Sequence, residues 1–248
     1  MILEIDAGNS RIKWRLCNGR QVLERGIGKP EDIAGMFDEL AERPAIPAGG
    51  PLRVRVASVR GDAFERSLQT LLGDRWGVQP EFARSTASCG AVVNGYEQPS
   101  ALGVDRWLAA IAAYDYAPQS CCVIDAGSAI TLDLVSAQGR HEGGYIVPGL
   151  VLQRESFVTR TGLMLDADAE WKSVVPGLRT TDALDNGILA MVTGWLVFLL
   201  QGAGEGGGRA LYLTGGDASV LSEQLGGHNI RHLVVPDLVL DGLALALP

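Results

Sequence analysis

The sequence predicts a mixed α/β protein built from two similar domains, and three observations carry that expectation. One strand–turn–strand phrase is written twice, as "MILEIDAGNSRIKW" at the start and "CCVIDAGSAITLD" past the middle. Strand-like and helix-like stretches alternate behind each copy, as they do in α/β folds. The length of 248 residues suits one large domain or two of ordinary size. Repetition on this scale reads as duplication, with two domains facing each other across a cleft. The restart alone places the boundary, giving a first domain over 1–115 and a second over 116–248.

The elements follow in order. Residues 2–8 read as a buried strand, and Ile12 to Cys17 as its hairpin partner. In "PEDIAGMFDELAERP", Ile33, Met36, Phe37 and Leu40 share a helical face, and Pro30 with the acidic pair behind it suits a helix start. "LRVRVASV" alternates and then turns apolar, as a strand entering a core does. "AFERSLQTLLGDRWG" places Phe64, Leu68, Leu71 and Leu72 on one side of a second helix. The turn-rich "NGYEQPSALG" leads into the helix "VDRWLAAIAAYDYA". After the restart, "CCVIDAGSAITLDLVSAQGRHEGGYIVPG" is a β-meander with glycine-rich turns, and helical stretches follow. "QGAGEGGG" is a flexible connector. "ALYLTGG" is a strand that stops at a glycine turn before a short helix, and "LVVPDLVLDGLALALP" closes the chain.

Composition excludes several classes. The chain is 47% hydrophobic and 20% charged, which is globular rather than disordered. A formal net charge of -8 disfavours nucleic acid or an anionic membrane as main partner, because phosphates are repelled. Cys17, Cys89, Cys121 and Cys122 form no CxxC pair, and His141, His228 and His232 stand at no ligand spacing to them. Idle thiols in a reducing cytosol are expected. The opening "MILEID" has no basic n-region and no cleavage signal, so a cytoplasmic protein is expected. The apolar run Ile188 to Leu200 is shorter than the roughly 20 residues of a membrane span. A helix so apolar is expected to be buried against another subunit, with Leu196 on the seam.

The repeated phrase also carries chemistry. At a strand end, Asp6 and Asp125 sit at the mouth of the expected cleft. The glycines that follow, Gly8 and Gly127, let the backbone turn tightly and approach a ligand. Turn N–H groups can cradle an anion. Asn9, Ser10 and Ser128 add side-chain donors, and Lys13 adds a positive charge. Carboxylates beside phosphate make sense with a cation between them, and Mg²⁺ is held by one or two carboxylates plus phosphate oxygens and water. Thr214, Gly215 and Gly216 form a third strand-to-glycine turn, suited to phosphate or to a flat base. No P-loop pattern occurs. Taken singly, each Asp-Ala-Gly is as well read as a plain turn; the pairing of two after like strands argues for a ligand.

Two facing domains with Asp-Gly phosphate hairpins resemble the actin–hexokinase–Hsp70 superfamily of ATP-binding folds. "DAGNSRIK", "GVDRW", "DAGSAITLD", "GGYIVPG" and "TGG" come in the order and spacing of type III pantothenate kinases, and the resemblance runs through essentially the whole chain. It implies an actin-like (ribonuclease H-like) fold and an ATP-dependent phosphorylation of pantothenate. Asp6, Ala7, Gly8, Asn9, Ser10, Arg11, Ile12 and Lys13 would be the first phosphate motif, with Asp6 near Mg²⁺ through phosphate or water. Asp125 would hold a monovalent cation, K⁺ or ammonium, and Ser128 would lie beside the ATP phosphates. Thr214, Gly215 and Gly216 would line the adenosine side. Tyr96, Gly103, Val104, Asp105 and Arg106 would form the pantothenate site, with Asp105 as catalytic base. Thr180 would reach the substrate of the neighbouring subunit in a homodimer.

Local chemistry agrees with that assignment. Phosphorylating an alcohol needs a carboxylate for the hydroxyl proton and a cation to offset phosphoryl charge. The Arg106 fork suits a carboxylate or a phosphate. The bland reading of Asp105 and Arg106 is a surface pair at a helix start, where Asp is favoured anyway. Ser10 and Ser128 stand where many members carry threonine, and "TRTGLMLDAD" lacks a Leu-Pro often found there. Two rival readings share the ATP elements: a non-catalytic nucleotide-binding regulator, and a kinase of another small hydroxyl compound. The acceptor pocket separates them.

Overall fold

The computed structural model describes residues 1–47, 49–165, 167–202 and 208–248. The connector expected over "QGAGEGGG" lies mostly outside them. Two compact units divide the chain: Met1–Tyr116 with Asp237–Pro248, and Ala117–Pro236.

The first unit holds β1 (Ile2–Ala7), β2 (Ile12–Asn18), β3 (Gln21–Gly28), α1 (Ile33–Ala41), β4 (Arg53–Ser58), α2 (Asp62–Trp76), β5 (Pro80–Phe82), the short pair β6 (Ser88–Cys89) and β7 (Val92–Val93), and α3 (Val104–Tyr116). The sheet order is β3-β2-β1-β4-β5, with β1 antiparallel to β2 and parallel to β4. Leu3, Ile5, Val54 and Val56 alternate onto one face and pack with Met36, Phe37 and Leu40 of α1 and Leu68 and Leu72 of α2. Burial of a large aliphatic side chain stabilises by about 1.5–3 kcal/mol, so this face dominates the unit's core. The strand β3 was not expected from the sequence. It is an edge strand alternating exposed and half-buried residues, and its glycines and charges mask the pattern.

The opposite face of the same sheet is charged. Register places Glu4 beside Arg15 on one side and Arg55 on the other. Glu4 is 1% exposed and pairs with both guanidiniums, at 2.9 Å for Arg55. Arg15 also bonds Asp241 and, at 2.9 Å, the carbonyl of Leu240. Pairing of Glu4 with both guanidiniums offsets the desolvation cost that an isolated buried charge would carry.

Those last contacts belong to the closing helix, and they correct the division at 115/116. Residues 237–248 pack in the first unit, not the second. Leu238, Val239, Leu240 and Leu243 are buried, and a Cβ on Gly242 would lie 2.0 Å from the carbonyl oxygen of Leu108 in α3. Close approach to α3 and an acid for Arg15 draw the chain back.

The second unit repeats the first. It holds β8 (Cys121–Ala126), β9 (Ala129–Val135), β10 (His141–Pro148), α4 (Leu150–Thr161), α5 (Thr180–Gly202), β11 (Ala210–Thr214), α6 (Ala218–Gly227) and β12 (Leu233–Val234); the closing helix is α7 (Leu238–Ala246). Its sheet order is β10-β9-β8-β11-β12, the same order strand for strand. In both sheets the central strand ends in Asp-Ala. Both outer antiparallel ladders also slip register once, at Leu16/Cys17 and at His141/Gly143. Burial pushes the Cys121 thiol up to about 12 and raises the Cys122 thiol as well, so both stay protonated and inert near neutrality.

The apolar helix differs from expectation twice. As α5 it runs 23 residues, because two polar turns precede the apolar run, and Thr180–Gln201 is long and apolar enough to cross a membrane. The helix is thus not too short for a span, contrary to the expectation from the apolar run alone. Its Ile188, Leu189, Val192 and Leu196 instead line the unit's own core with Ile124, Leu221 and Leu225. Leu196 is fully buried there and cannot lie on a subunit seam. The outward apolar residues of α5 are Met191, 59% exposed, and Phe198, 74% exposed.

Candidate active site

In the first unit, Asp6 ends β1 opposite Lys13 of β2, and the turn between them carries Gly8, Asn9, Ser10 and Arg11. Asn9, Ser10 and Arg11 are exposed, while Ala7 and Ile12 are buried and fix the hairpin in the core. The hairpin thus presents polar groups on an apolar stem. Arg60, which follows β4 and was not singled out from the sequence, bonds the carbonyls of this turn.

The same unit gathers Tyr96, Asp105 and Arg106. Arg106 is buried, and its Nη1 donates to the Tyr96 hydroxyl at 2.9 Å, with the guanidinium 5.8 Å from that ring's centre. Asn94 sets the tyrosine's backbone: its Oδ1 accepts from the Tyr96 N–H at 3.0 Å, and its Nδ2 donates to the carbonyls of Thr86 and Pro99. Asn94 was not singled out either; it is a buried polar residue two positions before Tyr96. Asp105 lies in the first turn of α3, and its Oδ1 accepts the Arg106 N–H at 2.8 Å. A carboxylate is favoured at a helix N-terminus. A Cβ on Gly103 would come within 2.7 Å of that Oδ1, so the glycine leaves the carboxylate its place.

In the second unit, three glycine elements converge. Asp125 pairs in register with Thr214 across the parallel β8–β11 ladder. Gly215 has φ +98°, and a Cβ there would lie 2.3 Å from the Ala126 oxygen and 2.5 Å from Asp125 Oδ1. Asp217 N–H donates to the Ala126 carbonyl at 2.9 Å. Gly149, the last residue of "GGYIVPG", donates to the Ser128 carbonyl at 2.9 Å, and a Cβ on it would lie 2.2 Å from the Gly127 oxygen. That motif therefore braces the second hairpin. Gly127 is different: a Cβ there would find only ordinary contacts, at 3.6 Å and beyond. Packing does not demand glycine at 127.

Thr180 is the first residue of α5 and is exposed. The chain before it is tied down from the helices: Arg154 of α4 bonds Asp185 of α5 at 2.7 Å and the Ala167 carbonyl at 2.7 Å, and Asp185 accepts the Glu170 N–H. Among the described residues no group of three or more His, Cys, Asp or Glu side chains could hold a metal ion.

Comparison with known proteins decides the family. The model of the family described as type III pantothenate kinase matches residues 2–199. A type III pantothenate kinase of Ectopseudomonas mendocina is 39% identical, covering 100% of this chain and 99% of the relative. The chain belongs to the type III pantothenate kinase family. A second member, from Azotobacter vinelandii, is 37% identical over the same shares. Among solved structures, the activator of the 2-hydroxyisocaproyl-CoA dehydratase from Clostridium difficile, with bound ADPNP, aligns over 99% of this chain and 92% of its own. Its TM-score is 0.57 at 12% identity. At that identity the likeness establishes the fold alone, two similar actin-like α/β domains. Both Asp-Ala-Gly hairpins, the Gly103–Arg106 stretch and Thr180 fall inside the span matched by the kinase family, and Thr214–Gly216 falls beyond it.

Proposed function

We propose that this chain transfers the γ-phosphoryl group of ATP to the primary hydroxyl of pantothenate, the first step of coenzyme A biosynthesis. The observation that carries the reading is the acceptor cluster in a chain of this family: Tyr96 hydroxyl, buried Arg106 and the Asp105 carboxylate at the head of α3. A nucleotide-sensing regulator has no use for those three together.

The roles follow from the groups. Asp105 orients the acceptor hydroxyl and takes its proton, a contribution of roughly 10²–10⁴-fold. Arg106 and Tyr96 bind the acceptor's polar groups, and the carboxylate of pantothenate suits a guanidinium fork. Gly103 and Val104 shape the same pocket. The hairpin of Asp6 to Lys13 receives phosphate on its turn N–H groups and on Lys13. Ser128 donates to phosphate, and Thr214 to Gly216 take the adenosine side. Asp6 would hold Mg²⁺ through phosphate oxygens or water, and Asp125 would hold K⁺ or ammonium. When bound, these cations offset the charge that gathers on the transferring phosphoryl.

A homodimer completes the reading. Met191 and Phe198 on the outward side of α5 would form its seam, and Thr180 would reach the partner's substrate. The enzyme is placed in the cytoplasm, with neither nucleic acid nor membrane as partner.

The test is a coupled ADP-release assay with ATP, Mg²⁺ and pantothenate, run with K⁺ and again with Na⁺ alone. Turnover that requires pantothenate and rises with K⁺ is expected. ATP hydrolysis indifferent to pantothenate would discard the kinase reading. Asp105→Asn should lose at least about 100-fold in kcat with ATP affinity nearly unchanged; a variant as active as the parent would remove the base assignment.

A further inference from the structure

Arg60 stands between β4 and α2, 51 positions along the chain from Asn9 in the first hairpin. The parallel pairing of β1 with β4 brings it there: Ala7 aligns with Ser58, and the Val59 N–H donates to the Ala7 carbonyl at 3.3 Å. Its Nη1 then donates to two carbonyls of the turn, Asn9 at 2.9 Å and Gly8 at 3.3 Å. The guanidinium lies 4.9 Å from the centre of the Phe64 ring. The backbone N–H of Arg60 donates to Ser58 Oγ at 3.3 Å. Its Nε is buried with no hydrogen-bond partner among the described residues. Two carbonyls and an aromatic ring hold it where it is.

The consequence follows from peptide geometry. A trans peptide is planar, and its N–H points opposite to the carbonyl it shares a plane with. No cis bond occurs among the described residues. The Gly8 carbonyl shares its plane with the Asn9 N–H, and the Asn9 carbonyl with the Ser10 N–H. Drawing both carbonyls toward Arg60 therefore turns both N–H groups away from it, side by side. Adjacent N–H groups turned the same way make an anion nest. The cation behind the carbonyls adds a positive potential to that nest without occupying it.

We propose that Arg60 is a positioning residue for phosphoryl transfer, holding the Gly8 and Asn9 carbonyls so that the N–H groups of Asn9 and Ser10 are preorganised for nucleotide phosphate. The proposal rests on the reading of the Asp6–Lys13 hairpin as a phosphate site. Preorganised donors contribute more than donors that must be ordered on binding.

The experiment uses the full chain and two variants, Arg60→Met and Arg60→Lys. Calorimetry gives the affinities for ATP and for adenosine, steady-state kinetics give KM for ATP and for pantothenate, and melting curves report folding. Arg60→Met should weaken ATP binding about 10- to 100-fold, the loss that accompanies removal of charge-assisted hydrogen bonds. Adenosine affinity and the KM for pantothenate should stay within about twofold, because neither depends on the nest. Arg60→Lys keeps the charge and one donor and should recover part of the loss. Unchanged ATP affinity in Arg60→Met, or equal losses for ATP, adenosine and pantothenate, would overturn the proposal in favour of a purely structural role. If Arg60→Met does not fold, Arg60→Lys carries the same comparison, and ATP affinity equal to the parent's there overturns the proposal. A parent protein that binds no ATP would instead overturn the reading of the hairpin.

Discussion

Two glycines that look alike in the sequence should respond oppositely to one methyl group. Gly127 follows Asp125-Ala126 and Gly215 follows Thr214, each at a strand end. A methyl at 215 would sit 2.3 Å from the Ala126 oxygen and 2.5 Å from Asp125 Oδ1, in a backbone with φ +98°. Ordinary contact begins near 3.4 Å, so the turn must retreat by at least about 1 Å. Left-handed strain and overlap each cost about 1–3 kcal/mol, which predicts a loss of about 2–6 kcal/mol for Gly215→Ala. In a protein of this size that lowers the melting temperature by roughly 4–24 °C. Displacing a site by 1 Å also costs about 10²-fold in activity, and the Asp125 carboxylate moves with it. Gly127→Ala meets only ordinary contacts and should melt within about 1 °C of the parent. Differential scanning calorimetry measures both variants, and titration with ATP follows. A Gly215→Ala protein as stable as the parent would refute the argument. With its fold intact, any loss of ATP affinity in Gly127→Ala reports ligand approach at that turn.

Two further outcomes are expected. Arg15→Met leaves Asp241 without its guanidinium and Glu4 with Arg55 alone, and should cost about 3 kcal/mol, read as a melting temperature lower by roughly 6–12 °C; a shift under about 2 °C would show that the charged face does not anchor α7. If the proposed dimer forms through Phe198, Phe198→Asp should halve the mass measured by light scattering while the fold persists, whereas Leu196→Asp should unfold the second unit because Leu196 is buried in its core; an unchanged mass in Phe198→Asp would remove that seam.

How much was legible in the sequence depends on how local the cause is. The central strands β1 and β8, their hairpin partners and the helices α2 and α3 follow from short apolar patterns, which is why they stand close to where the sequence puts them. The strand β3 escaped because its alternation is between exposed and half-buried positions, and its charged residues and the glycines Gly26 and Gly28 carry little strand signal. A Cβ at either would strike Trp14 or Met36, a fact visible only once the neighbours are in place. The motif residues were legible as a set, since Asp-Ala-Gly recurs and acceptor-side residues cluster at the start of one helix. The supports of the site were not. Asn94 behind Tyr96, Gly149 behind Ser128 and Arg60 behind Asn9 carry no pattern of their own, and each acts through a contact that pairing or packing creates.

The sequence by itself determined the duplication, the two Asp-ended strands and the family, because these are properties of residue order. Tertiary structure decided the rest. It sent α7 back to the first unit, where Arg15 needs an acid and α3 admits a glycine. It sorted the apolar residues of α5 into an inner set with Leu196 and an outer set with Phe198, which no helical run that is apolar all round can specify. It separated the glycine that must be glycine from the one that need not be. In each case the reason is the same: burial, close approach and the direction of a hydrogen bond are relations between distant segments, and they exist only when the sheets have formed.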